Sequence, residues 1–224
     1  MTDLAKRELA LAIRMLEQAG VMDYNGHASV RLSEDRILIN VGNCQRSAVT
    51  AADICTIDAR GNVIEGRGKP PLEHHLHLGL YRARPDIGAI VHAHPRWSTY
   101  LTMTGHVYQP VFAQGAILGP VPVLDTPQSI NTPDMADQLA QVIGGNPAAL
   151  MKSHGAVTVG ADIVEAFVLA NYLEENAQRQ YMALQIGTPY VFSEQEIAVA
   201  KVKLWNRGLF ERTWAHFRAK LAGG

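Results

Sequence analysis

Cysteine is scarce in this chain: Cys44 and Cys55 are the only two, and they lack C-x-x-C spacing. That excludes a disulfide-stapled scaffold or an all-cysteine metal site and leads us to expect a reduced, cytoplasmic setting. The first residues show no charged-then-apolar leader, and no uncharged apolar run approaches the length of a bilayer span, so a soluble protein without membrane partners is expected. Charge of one sign is also missing. Twenty Lys and Arg stand against 21 Asp and Glu, with neither a basic run nor an acidic tail, which argues against nucleic acid as a partner. Repeats and low-complexity linkers are absent too, and 224 residues suffice for one well-buried core, so a single domain over 1–224 is expected.

What is present is an alternation of elements. Residues 3–19 carry Leu4, Leu9, Leu11, Ile13 and Leu16 among charges, the pattern of a one-faced helix stopped by Gly20. The runs 24–32 and 36–41, either side of Glu34-Asp35, read as a hairpin, and so do 54–57 and 62–65 around Asp58-Ala59-Arg60-Gly61. After Pro70-Pro71 a helix is expected from Glu73, with Glu73, His77 and Tyr81 on one face, ending at Arg84-Pro85. Further helices are expected over 97–103, 133–143 and 163–184, with strands at 121–124, 148–151 and 155–160. A last helix should run from Ser193 to Arg212 or on to Leu221, broken at Gly208. Early hairpins followed by interspersed helices predict an α/β layered domain on a mixed sheet.

The stretch that organises the chain is Pro85-Asp86-Ile87-Gly88-Ala89-Ile90-Val91-His92-Ala93-His94-Pro95. On a strand, the side chains of H-x-H leave on the same side, spaced for one metal ion. The bland alternative is a pair of hydrogen-bonded strand histidines. Glu73 upstream and His154, in Lys152-Ser153-His154-Gly155, complete the inventory of a catalytic metal centre that keeps a position open for substrate.

Together, Glu73-x3-His77-x3-Tyr81-x2-Arg84-Pro85-Asp86-x4-Val91-His92-x-His94-Pro95, preceded by Gly26-x2-Ser29-x-Arg31 and followed by His154-Gly155, resemble the class II aldolase/adducin family over nearly the whole chain. The resemblance implies a three-layer α/β/α fold around a mostly antiparallel sheet. It implies His92, His94 and His154 as ligands to one divalent metal ion per subunit, and Glu73 as the acid/base group. It also implies a homotetramer with sites between subunits. Three histidines suit Zn2+, and an added carboxylate or oxygen-rich substrate admits Mn2+, Fe2+ or Co2+.

Departures from the family's sugar-phosphate aldolases bear on substrate. Pro71-Leu72 stands where those enzymes place a Ser-Ser pair, Gly26-His27-Ala28-Ser29 replaces their Gly-Asn-x-Ser, and no Pro-Ser-Gly turn occurs around Val41–Gln45. A phosphate needs converging N–H and hydroxyl donors, and these changes remove them. The Gly-His-x-Ser-x-Arg variant and the Tyr172-Leu173-Glu174-Glu175-Asn176-Ala177 segment are similar to the family's decarboxylase branch. The expected activity is therefore decarboxylation of a hydroxylated aromatic, heteroaromatic or ring-cleavage carboxylic acid. An aldolase acting on a hydroxy-keto compound and a non-catalytic, adducin-like assembly role stand as alternatives. His27, Ser29, Arg31 and His77 are expected at the substrate, with His77 equally readable as a satisfied core histidine and Arg31 as a residue pinning the sheet. Tyr81 reads as packing, His74 and His75 as surface or interface residues, and Trp205, Trp214 and Phe217 as helix packing or a lid over a neighbouring site.

Overall fold

A computed structural model describes residues 2–223. In chain order the elements are α1 (Thr2–Gln18), β1 (His27–Ser33), β2 (Arg36–Asn40), β3 (Ile54–Ile57), β4 (Val63–Glu65), α2 (His74–Ala83), β5 (Ala89–Ala93), α3 (Arg96–Met103), α4 (Ala113–Ala116), β6 (Val123–Leu124), α5 (Pro133–Ile143), β7 (Ala148–Met151), β8 (Gly155–Gly160), α6 (Ile163–Ile186), α7 (Glu194–Leu204) and α8 (Arg207–Gly223). The strands form one eight-stranded sheet in the order β4-β3-β2-β1-β5-β8-β7-β6. Its neighbours pair antiparallel except for the parallel pair β6 and β7.

The period-two alternation of each strand sorts the core into two layers. Ala89, Val91 and Ala93 of β5 face a cluster built on α1, α3, α6 and α8, which includes Leu9, Ile13, Phe167 and Leu173. Ile90 faces the opposite cluster, with Leu76 and Leu80 of α2 and Leu139 of α5. His92 shares the parity of Ile90, so the first of the two histidines points towards α2. Helices on both faces of a mostly antiparallel sheet give the expected three-layer α/β/α arrangement.

Two features differ from the sequence reading. The break in the C-terminal helical region falls at Trp205-Asn206 instead of Gly208: Asn206 Oδ1 accepts the Leu209 N–H at 2.9 Å, starting α8, and Gly208 lies inside its first turn. The second is the segment before α4, which neither strand nor helix periodicity marks. It is held by buried amides of α6. Asn176 Oδ1 accepts from Val111 N–H and Phe112 N–H, each at 3.0 Å, Asn176 Nδ2 donates to the Gln109 carbonyl, and Gln180 brackets Val107 and Gln109 in the same way. These amides satisfy backbone groups that a ladder would otherwise pair.

Glu174, in the same helix segment, fastens the histidine strand to the layer behind it. Its buried carboxylate accepts the N–H groups of Trp97 at 2.6 Å and Ser98 at 3.0 Å, the open donors at the start of α3, two residues after His94-Pro95. Glu174→Ala leaves both donors without a partner and is expected to lower unfolding free energy by about 1–3 kcal/mol, with Glu174→Gln losing less because it keeps one acceptor oxygen. Urea denaturation of the two variants checks this, and no loss in Glu174→Ala would show that these two bonds do not contribute to stability.

Candidate metal centre

Three separate segments converge at one end of the sheet. β5 delivers His92 directly opposite His27 of β1. His94 lies just past the strand, where Pro95 has no N–H to continue the ladder. His154 comes from the tight turn between β7 and β8, after Ser153, whose φ of 54° is the left-handed conformation few side chains adopt. Gly155 permits the close approach of that turn: a Cβ there would sit 2.4 Å from the Ala93 carbonyl oxygen and 3.0 Å from the His94 ring. Glu73 stands at the N-terminal boundary of α2.

Each histidine is oriented by an oxygen acceptor on its Nδ1. His92 Nδ1–H donates to the Ala156 carbonyl at 3.0 Å, His94 Nδ1–H to Asp23 Oδ1 at 3.0 Å, and His154 Nδ1–H to the Gln128 carbonyl at 3.0 Å. Each imidazole is thereby left with its lone pair on Nε2, the arrangement that outer partners impose on metal-binding histidines. His92 Nε2 is buried without a hydrogen-bond partner. One nitrogen from each histidine and one Glu73 oxygen all lie within 4.8 Å of one another. An orphaned buried nitrogen among converging lone pairs and a carboxylate is a donor set that fits a divalent cation.

Glu73 lies in the middle of this group. Its Oε2 is 3.5 Å from His92 Nε2 and 3.6 Å from His27 Nε2, its Oε1 is 3.6 Å from His154 Nε2, and Oε1 also accepts the Ile130 N–H at 2.9 Å. Burial alone would raise its pKa, but the neighbouring His27 and His92 outweigh burial and hold the carboxyl well below the usual range. Burial lowers His154, and it lowers His27 to about 4, so both rings are neutral at physiological pH. A neutral imidazole is the form that binds a metal.

The centre opens into a cavity of about 420 Å³. Its walls include His27, Arg46, Pro70, Pro71, Leu72 and Ser129 beside Glu73, His94 and His154. Of the residues singled out from sequence, Glu73, His92, His94, His154 and His27 meet here. His77 and Ser29 lie beneath His27, fully buried and hydrogen-bonded to one another, away from the cavity wall. Arg31 does not reach the site. Its guanidinium donates to the carbonyls of Tyr81, Arg84, Pro85 and Ile87 beyond the far end of α2, so it fastens helix to sheet through backbone oxygens instead of a carboxylate partner. Tyr81 is buried as expected, but its hydroxyl is engaged with Ser29. His74 and His75 are half-buried with their rings 4.2 Å apart, and Trp214 and Phe217 pack edge-on against Phe167.

Two residues at the site escaped sequence reading. Asp23, in an Asp-x-Asn-Gly turn, binds its own downstream N–H groups as turn chemistry predicts, and nothing local announces the bond to His94, 71 positions away. Arg46 is almost fully buried, and its guanidinium donates to the carbonyls of Gly26, Gly42 and Cys44. Among the described residues no carboxylate forms an ion pair with it, and it places a positive charge at the wall of the cavity that Glu73 also lines.

Comparison with known proteins gives the class. Residues 7–181 match the family described as Class II Aldolase and Adducin N-terminal domain. The chain is 30% identical over 181 residues to 3,4-dihydroxyphthalate decarboxylase of Arthrobacter keyseri, spanning 74% of this chain and 73% of that protein. It is 28% identical over 182 residues to L-fuculose phosphate aldolase of Methanocaldococcus jannaschii, spanning 81% and 97%. Among solved structures, an L-fuculose 1-phosphate aldolase superposes with a TM-score of 0.82 at 26% identity, covering 90% of this chain and 96% of that one. The chain belongs to the class II aldolase and adducin N-terminal domain family. Its relatives by these names are lyases of two kinds, aldolases and decarboxylases.

Removing the Asp23 carboxylate should free His94 to rotate and change tautomer. Asp23→Ala is expected to weaken Zn2+ or Mn2+ binding about 10–100-fold. Competition titration against a chromogenic chelator measures this, and unchanged affinity would remove His94 from the ligand set.

Proposed function

We propose that this protein is a metal-dependent decarboxylase acting on a hydroxylated aromatic, heteroaromatic or ring-cleavage carboxylic acid. The observation that carries the reading is the cavity wall. Pro70 and Pro71 offer no N–H, the Gly42 N–H is already given to the Lys69 carbonyl, and Leu72 brings only hydrocarbon. On this side of the cavity a phosphate dianion finds no cup of converging N–H and hydroxyl donors, the polar side chains of the wall besides the histidines and Glu73 being Asn25, Ser129 and Arg46. The same wall suits an apolar ring, and the positive charge of Arg46 suits a carboxylate. The 3,4-dihydroxyphthalate decarboxylase relative points in the same direction.

In this reading His92, His94 and His154 would hold a Zn2+ or Mn2+ ion, whose Lewis acidity would stabilise negative charge developing on the substrate. Glu73 arrives as a carboxylate. Ile130 holds its Oε1, so Oε2 takes the proton of the substrate's hydroxyl. Glu73 Oε2 then delivers that proton to the ring carbon that bears the carboxylate, turning the oxyanion into a ring carbonyl, and the bond to CO2 breaks with its electron pair restoring the aromatic ring and the oxyanion. Arg46 fixes the departing or neighbouring carboxylate, and the apolar wall excludes water from the carbon being protonated.

The aldolase alternative has specific support: the matches to the M. jannaschii aldolase and to the solved L-fuculose 1-phosphate aldolase span nearly all of each enzyme. There the same parts would break a bond between two substrate carbons and leave an aldehyde. Exposed Leu72 and Tyr24, 82% and 79% accessible on segments that bear on the site, suit a homotetramer in which a neighbouring subunit covers the cavity mouth.

With Zn2+ or Mn2+ restored, the protein is expected to release CO2 from an ortho-hydroxy aryl dicarboxylate in a coupled carboxylase assay. His94→Ala is expected to lose metal content and turnover together. Pyruvate or an aldehyde as product from a hydroxy-keto acid, with no CO2 from the aryl acids, would replace this reading by the aldolase one.

A further inference from the structure

Below the cavity a buried polar chain leads away from the centre, and the chemistry above does not use it. His27 Nδ1 lies 2.7 Å from His77 Nε2, His77 Nδ1 lies 2.6 Å from Ser29 Oγ, and Ser29 Oγ lies 2.8 Å from the Tyr81 hydroxyl. All four side chains are nearly or wholly inaccessible, at 4% exposure or less. The chain has two ends. One is His27 Nε2, buried without a hydrogen-bond partner and 3.6 Å from Glu73 Oε2. The other is Tyr81, whose ring is covered by the Arg31 guanidinium 4.8 Å from its centroid.

The direction of such a chain follows from counting protons. Among the described residues, Ser29 Oγ is the one group within hydrogen-bond reach of the Tyr81 hydroxyl. A buried O–H that donates to nothing forfeits a hydrogen bond, so Tyr81 donates and Ser29 accepts. Ser29 has one hydrogen of its own and gives it to His77 Nδ1. A neutral His77 then carries its proton on Nε2 and donates to His27 Nδ1. All four groups are buried, where the neutral forms of an imidazole and a phenol cost least to desolvate, so the protons are counted for neutral members. His27 is left with its proton on Nε2, at the cavity wall.

We propose that Tyr81, Ser29 and His77 are positioning residues that lock His27 in its Nε2–H tautomer, making it a fixed neutral donor to an anionic oxygen of the substrate beside Glu73. This assigns Ser29 and His77 a role at one remove, through His27, instead of contact with substrate. It also gives the orphaned His27 Nε2 a purpose that the opposite tautomer would not: a lone pair there would face the Glu73 carboxylate and repel it. The donor stands ready before substrate arrives, because neither the ring nor its proton has to reorganise. The reverse orientation of the chain, which would put the proton on His27 Nδ1, leaves the Tyr81 hydrogen without an acceptor and is disfavoured on that account.

Only the identity of the accepting oxygen rests on the decarboxylase reading; the tautomer does not. Neutron diffraction from deuterium-exchanged crystals tests the tautomer directly. Deuterium on His27 Nε2, with none on Nδ1, is expected, and deuterium on Nδ1 would overturn the proposal whatever reaction the protein catalyses. Calorimetric binding of oxalate to the manganese-loaded protein tests the consequence. His77→Leu, which leaves His27 Nδ1 without a donor, is expected to weaken oxalate about tenfold, the worth of one hydrogen bond to a charged group. His77→Gln, whose amide N–H can replace the imidazole donor, is expected to recover most of that loss. Equal affinity in all three proteins, or equal loss in both variants, would overturn the role of the chain.

Discussion

Helix α2 lies along strand β1 with nearly matched repeats. Four residues of a helix rise about 6 Å and two residues of a strand about 6.7 Å, so side chains spaced i, i+4, i+8 on one meet those spaced i, i+2, i+4 on the other. Glu73, His77 and Tyr81 therefore come level with His27, Ser29 and Arg31, rung by rung, and each rung is closed by a polar contact. Everything at the site depends on this alignment. It sets Glu73 at the end of the sheet where β5 delivers His92, and it buries a row of polar groups that only their mutual bonds make tolerable. A slip of one residue in β1 would turn His27 and Ser29 to the other face and leave the polar row of α2 against the Ala28 side of the strand.

This packing explains why so much of the arrangement is legible in one dimension. The periodicities that predict α2 and β1 separately are the same periodicities that bring them together, so the spacing of Glu73, His77 and Tyr81 already reports a shared face. The H-x-H of His92 and His94 is legible for the same reason. What escapes is contact across loops. Asp23 reaches His94 from a turn whose local hydrogen bonds already account for an Asp followed by Asn-Gly, and Arg46 sits in a segment with no period at all. Arg31 shows the converse. Its parity correctly puts it on the face of His27, but two rungs along the strand carry it more than 13 Å from the cavity end, by strand geometry, where the carbonyls at the end of α2 take its donors.

The break after α7 and the short helix α4 were illegible for a related reason. Asn206 caps α8 through a local side-chain bond that competes with the more familiar breaking tendency of Gly208, and α4 exists because Asn176 and Gln180, some 65 residues later, hold the segment before it. A helix of four residues cannot sustain itself by propensity, so its origin lies in the partner and not in its own sequence. The α6 segment containing Glu174 and Asn176 thus has a structural duty: one side chain caps the helix after the histidine strand and the other secures the loop that follows it.

The two layers around the sheet contribute differently to chemistry. On the α1, α3, α6 and α8 side, polar groups of α6 are spent on backbone N–H and carbonyl groups, which fixes the positions of strand ends and loops. On the α2 side, side chain meets side chain, and proton positions as well as atom positions become determined. The consequence is an asymmetry in what substitution would change. Altering Glu174 or Asn176 shifts where the histidines stand, whereas altering Tyr81, Ser29 or His77 leaves them standing and changes which nitrogen carries a proton. A protein with the same backbone and the same three histidines can therefore present a different face to its substrate when residues at the polar rungs and the cavity wall differ. Function on a shared fold lives in the residues of the site, and in this chain those include the polar rungs and the cavity wall.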